Sequence, residues 1–179
     1  MSDFKMHTQE SVPEAAKETL KEMEQSLGMI PNLAWVMAEA PALLKGYFTL
    51  SDIFEESSFS AGECQLISLI ISHWNQCHYC VPAHATLAKS ANMPSEVVEA
   101  ARAGRPIPDA RLEALRRFVE VMLEKRGWPE EGDLKAFYDA GYTKANVLEV
   151  VLGIGLNTLS NYTNHVAGTP IDQAFAGEK

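Results

Sequence analysis

Apolar residues recur at helical spacing along almost the whole chain. After Asp109, for example, they follow one another at intervals of three residues or one, which keeps them on one face of a helix: Leu112, Leu115, Phe118, Val119 and Met122. No segment shows the convincing alternation of apolar and polar residues that predicts a half-buried strand. The apolar run 67–71 lies inside a segment of helix length. The pattern therefore predicts an all-α protein.

Proline, glycine and capping residues mark where the predicted helices begin and end. Proline fits the first turn of a helix, and glycine is the usual residue just after the last turn. Ser60 and Glu63 stand three residues apart, which is the pattern of a capping box. The predicted helices cover the following ranges: 14–27, 32–39, 41–55, 61–75, 77–91, 94–104, 110–126, 131–139 and 144–166.

Two stretches that lie 81 residues apart resemble each other and predict an internal repeat. Residues 66–71 match residues 147–152, and at the same offset His84 falls on His165. Two copies of a helical hairpin, only one of which carries the chemistry, would explain this pattern. The second copy is then expected to be structural.

Length and composition are those of an ordinary globular protein. The chain has 179 residues, of which 46% are hydrophobic and 22% are charged, and this is enough material for a buried core. We expect a single domain over residues 1–179, with an active half at about 25–105 and a structural half at about 109–175.

Charge and targeting signals exclude several classes of protein. The net charge of −9 argues against a surface that binds nucleic-acid phosphates. The N-terminus lacks the apolar core of a signal peptide, and the longest apolar runs are too short to span a bilayer. We therefore expect a cytoplasmic protein that binds neither nucleic acid nor membranes. Three cysteines are too few for a disulfide scaffold, so a C-x-x-C pair in that compartment indicates catalysis or metal binding.

The segment Cys77-His78-Tyr79-Cys80-Val81-Pro82-Ala83-His84 carries the strongest chemical signal. In a helix, Cys77, Cys80 and His84 would lie along one stripe, because residues three and four apart share a face. The thiolate is the reactive form of cysteine, and a neighbouring base or a helix N-terminus favours it. His84 could take the proton of Cys80, and Cys77 could then capture an oxidised Cys80 as a disulfide. These residues predict a dithiol redox site.

Zinc binding and simple packing are the alternatives for the same residues. His73, Cys77, Cys80 and His84 supply ligand atoms at intervals of four, three and four residues. One straight helix would spread these side chains over about 16 Å, whereas zinc needs ligand bonds of about 2.0–2.3 Å. We therefore expect neither a metal nor another cofactor. Free cysteine is also often just a small buried apolar residue, which leaves a purely structural role open.

A third group is expected to orient His84, as is common for catalytic bases. Glu63 is one candidate, although its place in the capping box offers a purely structural reason for its presence. Gln65 could supply a neutral version of the same contact. The predicted catalytic residues are Cys80, Cys77, His84 and Glu63.

The segment from Glu63 to His84 resembles the core of the carboxymuconolactone decarboxylase superfamily, in its AhpD-like alkylhydroperoxidase branch. That core usually reads as a glutamate, an apolar helix, asparagine-glycine and then C-x-x-C-x-x-x-H, and here Asn75-Gln76 precedes the first cysteine. The stretch Asn161-Tyr162-Thr163-Asn164-His165 is also similar to the peroxidase-related subgroup. The resemblance implies an all-α fold with an internal repeat, assembled as a homo-oligomer (a dimer, trimer or hexamer).

The resemblance also implies a function. It predicts that the protein reduces hydroperoxides, with Cys80 attacking and Cys77 resolving, and that an external dithiol of protein or lipoyl type restores both thiols. The characterised peroxidases place their glutamate at the position of Gln65, and they have a histidine where this chain has Tyr79.

Two other functions stay open. One is an enzyme like the decarboxylases or a lactone-handling enzyme, with His84 as general acid and base, although the decarboxylases generally lack the cysteine pair. The other is a non-enzymatic oligomer that is switched by a disulfide.

Overall fold

Helices make up the secondary structure of residues 4–178, the part of the chain that the computed structural model describes. Within that range there are nine α-helices, one short 3₁₀ helix and no strand, and the predicted all-α class is confirmed. The helices are α1 Glu14–Leu27, α2 Asn32–Met37, α3 Pro41–Glu55, α4 Ala61–Trp74, α5 Cys80–Ser90, α6 Ser95–Arg102, α7 Ala110–Glu124, α8 Glu131–Asp139 and α9 Lys144–Ala167, and the 3₁₀ helix is Gln173–Glu178.

Most helix boundaries lie within two residues of their predicted positions, because the capping residues act as expected. Ser60 and Glu63 form a complete capping box at the start of α4, each side chain accepting the backbone N–H of the other residue. Asp109 caps α7 by accepting the N–H of Leu112. Helix α1 ends at Gly28, whose φ of 72° lies in the left-handed region that favours glycine.

One boundary differs in a way that matters for function. Residues 75–79 form a turn, and α5 begins only at Cys80. Gln76 has a φ of 55°, so the backbone is left-handed where α4 ends. The predicted single stripe is therefore wrong: Cys77 lies in the turn before the helix, and only Cys80 and His84 share a helix face.

Helix α4 is the central element of the fold. Most of its side chains are buried, and it packs against α5, α6, α7 and α9. Since a helix that is enclosed on all sides must be largely apolar, its composition matches its position. Two apolar clusters form the core, and α4 lies in the larger one. Cys77 and Tyr79 of the turn and Cys80 at the start of α5 lie in the other cluster, with residues of α1, α2 and α3. Both cysteines are therefore deep inside the protein.

Helix α9 runs beside α4 and directs buried polar side chains towards it. Asn157 donates to the hydroxyl of Ser68 at 3.0 Å, and Asn161 donates to the hydroxyl of Ser72 at 3.3 Å. Buried amides need such partners, so these pairs fix how the two helices align.

The internal repeat stays a prediction. Helices α4 and α9 both begin with a capping box, yet residues 144–167 form one uninterrupted helix, whereas residues 61–90 are divided by the turn. His165, the counterpart of His84, is exposed and stacks on Tyr162.

The C-terminal segment returns to the beginning of the fold. Asp172 accepts the backbone N–H of Asn32 at 3.1 Å, at the N-terminus of α2, where a carboxylate is favoured. Phe175 packs edge-on against the ring of Tyr79. Within residues 4–178, no helix combines the length and the hydropathy needed to cross a membrane.

Candidate active site

A cavity of about 190 Å³ lies beside the C-x-x-C turn, and residues of α1, α2, α3 and α5 form most of its wall. Its apolar lining includes Met23, Leu27, Leu33, Tyr47, Phe48, Leu87 and Phe175. Cys80, Gln65 and His84 supply polar atoms to the same wall. Asp52 and Glu55, which are exposed, mark the mouth of the cavity. The cavity thus extends from exposed residues to Cys80.

Cys80 is the first residue of α5 and is almost fully buried, with 2% of its surface exposed. Its sulfur accepts a hydrogen bond from the side-chain amide of Asn164 on α9, at 3.1 Å. Burial raises the pKa of Cys80 well above its usual range, the neighbouring Cys77 raises it further, and the Asn164 amide opposes both effects. Cys80 therefore rests as a thiol and needs a base to become a thiolate.

Cys77 is fully buried and is not part of the cavity wall. Its sulfur accepts the backbone N–H of Cys80 at 3.2 Å. The contact with the Cys80 thiol lowers the pKa of Cys77; burial opposes this shift, and the backbone N–H groups of Cys80 and Tyr79 add to it. The first N–H groups of a helix stabilise an anion in this way. Cys77 is therefore the more acidic thiol of the pair, while Cys80 is the cysteine that lines the cavity.

His84 lies one turn after Cys80 and lines the same cavity. Its Nδ1 is 2.9 Å from Oε1 of Gln65. Because an amide oxygen can only accept, Nδ1 carries the proton and Nε2 keeps a free lone pair. Burial lowers the pKa of His84 to about 4. The ring is therefore neutral at physiological pH and can act as a base.

Glu63 lies in a different cluster. Its carboxylate accepts hydrogen bonds from the N–H and hydroxyl of Ser60, from Arg111 at 2.6 Å and from the hydroxyl of Tyr142 at 3.0 Å. Burial raises the pKa of Glu63, but the hydrogen bonds from Ser60 and Tyr142 and the charge of Arg111 outweigh it, so the pKa is lowered. This corrects the expectation that Glu63 orients His84: Gln65 makes that contact, and Glu63 ties α4 to α7 and to the loop before α9.

Replacing Glu63 should separate stability from chemistry. We expect Glu63→Gln to lower the free energy of unfolding by about 1–3 kcal/mol, because the hydrogen bonds to a charged group are lost, and to leave the thiol chemistry at Cys80 unchanged. The folded-state pKa of Glu63 lies below its unfolded value of 4.5. The contribution of Glu63 to the free energy of unfolding is therefore present above pH 4.5 and is lost as the pH falls through the folded-state pKa. Urea unfolding curves, monitored by circular dichroism at pH 7 and at pH 3, measure this loss of stability.

Gln65→Leu is the matched variant on the same helix. It should slow the chemistry at Cys80, since the His84 ring loses its orienting contact, and it should keep the acid-dependent part of stability that Glu63 provides. Slower chemistry in Glu63→Gln at unchanged stability would contradict both assignments.

Tyr79 forms part of the cavity wall between the two cysteines. Its hydroxyl donates to Asp172 and accepts the backbone N–H of Leu33. Burial and the negative charge of Asp172 raise the pKa of Tyr79 far above its usual range. The phenol therefore keeps its proton and holds the C-terminal segment against the site.

Helix α9 supplies two asparagines that the sequence analysis did not identify as functional. Asn164 is buried and binds Cys80 through its Nδ2, while its Oδ1 has no hydrogen-bond partner among residues 4–178. Asn161 binds the side chain of Asn75 at 2.9 Å and also lowers the pKa of Cys80. A buried polar atom without a partner costs about 1–3 kcal/mol of stability. A residue that is kept at such a cost indicates a functional role, and we assign one to Asn164. The half expected to be structural thus contributes to the site.

The zinc alternative finds no support in the geometry. Among the described side chains, no group of three or more His, Cys, Asp or Glu residues is placed to hold a metal ion. His73, the first residue of the predicted ligand set, packs against Gly104, where an added Cβ would lie 2.6 Å from its Nε2.

One part of the chain matches a known protein family, the one that the sequence resembles. The sequence model of the carboxymuconolactone decarboxylase family matches residues 41–122, which include both cysteines and His84. No curated protein matches the chain.

Several solved structures share its fold. A peroxidase-related protein from Ralstonia eutropha, described as an alkylhydroperoxidase AhpD core, has a TM-score of 0.83 and 20% identity over 97% of this chain and 94% of its own. A peroxidase-related protein from Silicibacter has a TM-score of 0.81 and 20% identity over 98% of this chain and 93% of its own. The debrominase Bmp8, solved as a Cys-to-Ala variant with 2,3,4-tribromopyrrole, has a TM-score of 0.81 and 16% identity over 99% of this chain and 96% of its own.

Proposed function

Residues 41–122 match the carboxymuconolactone decarboxylase family, and the fold is that of the AhpD-like structures. On that basis we propose that the chain is a thiol-dependent peroxidase of this family. It reduces organic hydroperoxides through a dithiol-disulfide cycle of Cys80 and Cys77. One observation supports the proposal: Cys80 lines an apolar cavity, with a second cysteine beside it and a neutral histidine in the same wall.

The first step is attack by Cys80. Nε2 of His84 takes the proton of the Cys80 thiol, and the Asn164 amide stabilises the thiolate through its hydrogen bond. The thiolate attacks the terminal oxygen of the hydroperoxide, and the O–O bond breaks. The leaving alkoxide takes the proton from the His84 imidazolium and departs as an alcohol. Cys80 is left as a sulfenic acid.

The second step is resolution by Cys77. The Cys77 thiolate attacks the sulfur of the Cys80 sulfenic acid, a disulfide forms, and hydroxide leaves and is protonated to water. The lowered pKa of Cys77 suits this role, because a more acidic thiol supplies the attacking thiolate more readily. An external dithiol of protein or lipoyl type then reduces the disulfide and completes the cycle.

Direct assay of the purified protein tests the proposal. Cumene hydroperoxide should be consumed in the presence of dithiothreitol or dihydrolipoamide, and without a reductant the protein should lose two hydrogens, both from the peptide that holds Cys77 and Cys80. A protein that neither consumes peroxide nor forms this disulfide is not a peroxidase.

Reductive dehalogenation is a second candidate, favoured by the shared fold of a debrominase and by a cavity that has room for one ring. Cys80 would attack the bromine, the ring would take a proton, and Cys77 would displace bromide to form the same disulfide. Release of bromide from 2,3,4-tribromopyrrole, without consumption of cumene hydroperoxide, would favour this candidate over the peroxidase.

Asn164 offers a test of how the Cys80 thiolate is stabilised. Hydrogen bonds to charged groups contribute about 1.5–3 kcal/mol, so we expect Asn164→Leu to slow the oxidation of Cys80 by a factor of about 10–100. The pH profile of the reaction should also shift to higher pH, because the thiolate loses a donor. Stopped-flow rates between pH 5 and 10 measure both effects.

Asn157→Leu is the matched control for this prediction. Asn157 is a buried amide on the same helix, but it donates to Ser68 and to its own helix and makes no contact with sulfur. It should change stability and leave the pH profile unchanged. A profile unchanged in Asn164→Leu would remove that residue from the chemistry.

A further inference from the structure

Two carboxylates at the mouth of the cavity point to a charge preference that the proposed chemistry does not itself require. Resting on the proposed function, we infer that the site selects uncharged or cationic hydroperoxides with a body of about one aromatic ring, and that it discriminates against anionic ones. Volume, lining and charge each contribute to this inference.

The volume and lining favour a small apolar substrate. An engineered apolar cavity of about 150 Å³ binds benzene, and the cavity at Cys80 encloses about 190 Å³. It therefore has room for one ring with short substituents. Side chains such as Phe48 and Phe175 would contact such a ring, whereas hydrogen peroxide would leave most of this surface without a partner.

The charged groups of the wall all have one sign. Asp52 and Glu55 lie three residues apart on α3 and therefore share a helix face. No lysine or arginine of the described chain lines the cavity. The remaining titratable groups of the wall carry no charge at neutral pH. Burial holds the His84 ring neutral and keeps the hydroxyls of Tyr47 and Tyr79 and the thiol of Cys80 protonated.

The two carboxylates already repel each other. Burial raises the pKa of Glu55, and the charge of Asp52 raises it further. A third negative charge on the substrate would add to this repulsion, whereas an uncharged or positive group would not. Clefts lined by one sign of charge change the local concentration of charged ligands and their association rates by about 10–10³-fold.

Three hydroperoxides on one scaffold test the inference. We would use cumene hydroperoxide, its para-carboxylate and its para-trimethylammonium derivative, and measure the second-order rate of Cys77–Cys80 disulfide formation at low ionic strength. The expected order is cationic, then neutral, then anionic, with the neutral compound at least about tenfold faster than the anionic one. In 0.5 M NaCl the differences should shrink, because salt screens exposed charges.

Matched variants distinguish the effect of the two carboxylates at the mouth of the cavity from the effect of the overall charge of the protein. The double variant Asp52→Asn/Glu55→Gln should bring the rate with the anionic compound close to the rate with the neutral one. Glu56→Gln is the control, since Glu56 is exposed next to Glu55 and does not line the cavity. It should leave the ratio of the two rates unchanged. Circular dichroism verifies that all variants are folded.

The outcomes distinguish this inference from the proposed function. Equal rates for the three compounds, or an equal effect of Glu56→Gln and the double variant, would overturn the charge preference and leave the peroxidase intact. Failure of all three compounds to oxidise the wild-type cysteines would overturn the proposed function, and the inference with it.

Discussion

Replacing His84 with alanine is expected to slow the peroxide-driven oxidation of Cys80 by a factor of about 10²–10⁴, the usual contribution of a positioned acid or base. The reason is the environment of Cys80, since burial raises the pKa of this thiol and makes its thiolate scarce at neutral pH. The deficit should shrink as the pH rises, because hydroxide then generates the thiolate without a base. Stopped-flow rates of wild type and His84→Ala across the pH range measure both effects.

The pH profile of the wild type provides a second check on His84. Since its pKa is lowered to about 4, the base form should persist down to that pH. The unfolded chain binds a proton near pH 6.5. Stability should therefore fall as the pH drops from 6.5 towards 4, and this loss should be smaller in His84→Ala.

The alternative functions respond differently to the same variant. A decarboxylase that uses His84 on its substrate would lose activity without recovery at high pH, and it would survive replacement of both cysteines. A disulfide switch would oxidise slowly with little dependence on His84. Parallel profiles with equal rates would exclude His84 as the base.

Replacing Cys80 with serine is expected to abolish peroxide reduction completely, because a serine hydroxyl is not ionised at neutral pH and cannot form a sulfenic acid. Cys64→Ser is the control on the remaining cysteine. The sulfur of Cys64 contacts the carbonyl of Phe54 and the hydroxyl of Ser57, and it is outside the cavity wall. The Cys64→Ser variant should keep the wild-type rate of disulfide formation. Peroxide consumption that persists in Cys80→Ser would contradict the proposed role.

The helices were predictable because their signals are local. The capping box at Ser60 and Glu63, the cap at Asp109 and the glycine after α1 each act within one turn of the chain. The spacing of apolar residues then indicates which face of each helix is buried. Only the exact first and last residues of the helices cannot be read from these local signals.

The turn at 75–79 was missed for an equally local reason. The usual core sequence of this family has a glycine at the position of Gln76, and a glycine would have indicated a left-handed residue at the end of α4. Glutamine gives no such indication, although its φ of 55° shows that the backbone adopts this conformation here. The cysteines were therefore predicted on one helix that in fact begins at the second of them.

The partners of the site residues could not be predicted, because they depend on packing between distant segments. Asn164 lies 84 residues from the cysteine whose sulfur it contacts. Glu63 and Gln65 are two residues apart on one helix and therefore point in different directions. Only the positions of Arg111 and Tyr142 show that Glu63 belongs to the structural cluster. The spacing of Asn157, Asn161 and Asn164 was a usable signal, since it places polar residues on one face of a buried helix.

The central claim is that Cys80 attacks and Cys77 resolves, although Cys77 is the more acidic of the two thiols. Mass spectrometry of Cys77→Ser after one equivalent of cumene hydroperoxide, with a sulfenic-acid trap, tests it most directly. We predict a single trapped sulfenic acid on Cys80. In Cys80→Ser we predict no trapped sulfenic acid, because Cys77 is fully buried and does not line the cavity. A sulfenic acid on Cys77 in Cys80→Ser, with Cys80 left unmodified in Cys77→Ser, would reverse the two roles and contradict the mechanism.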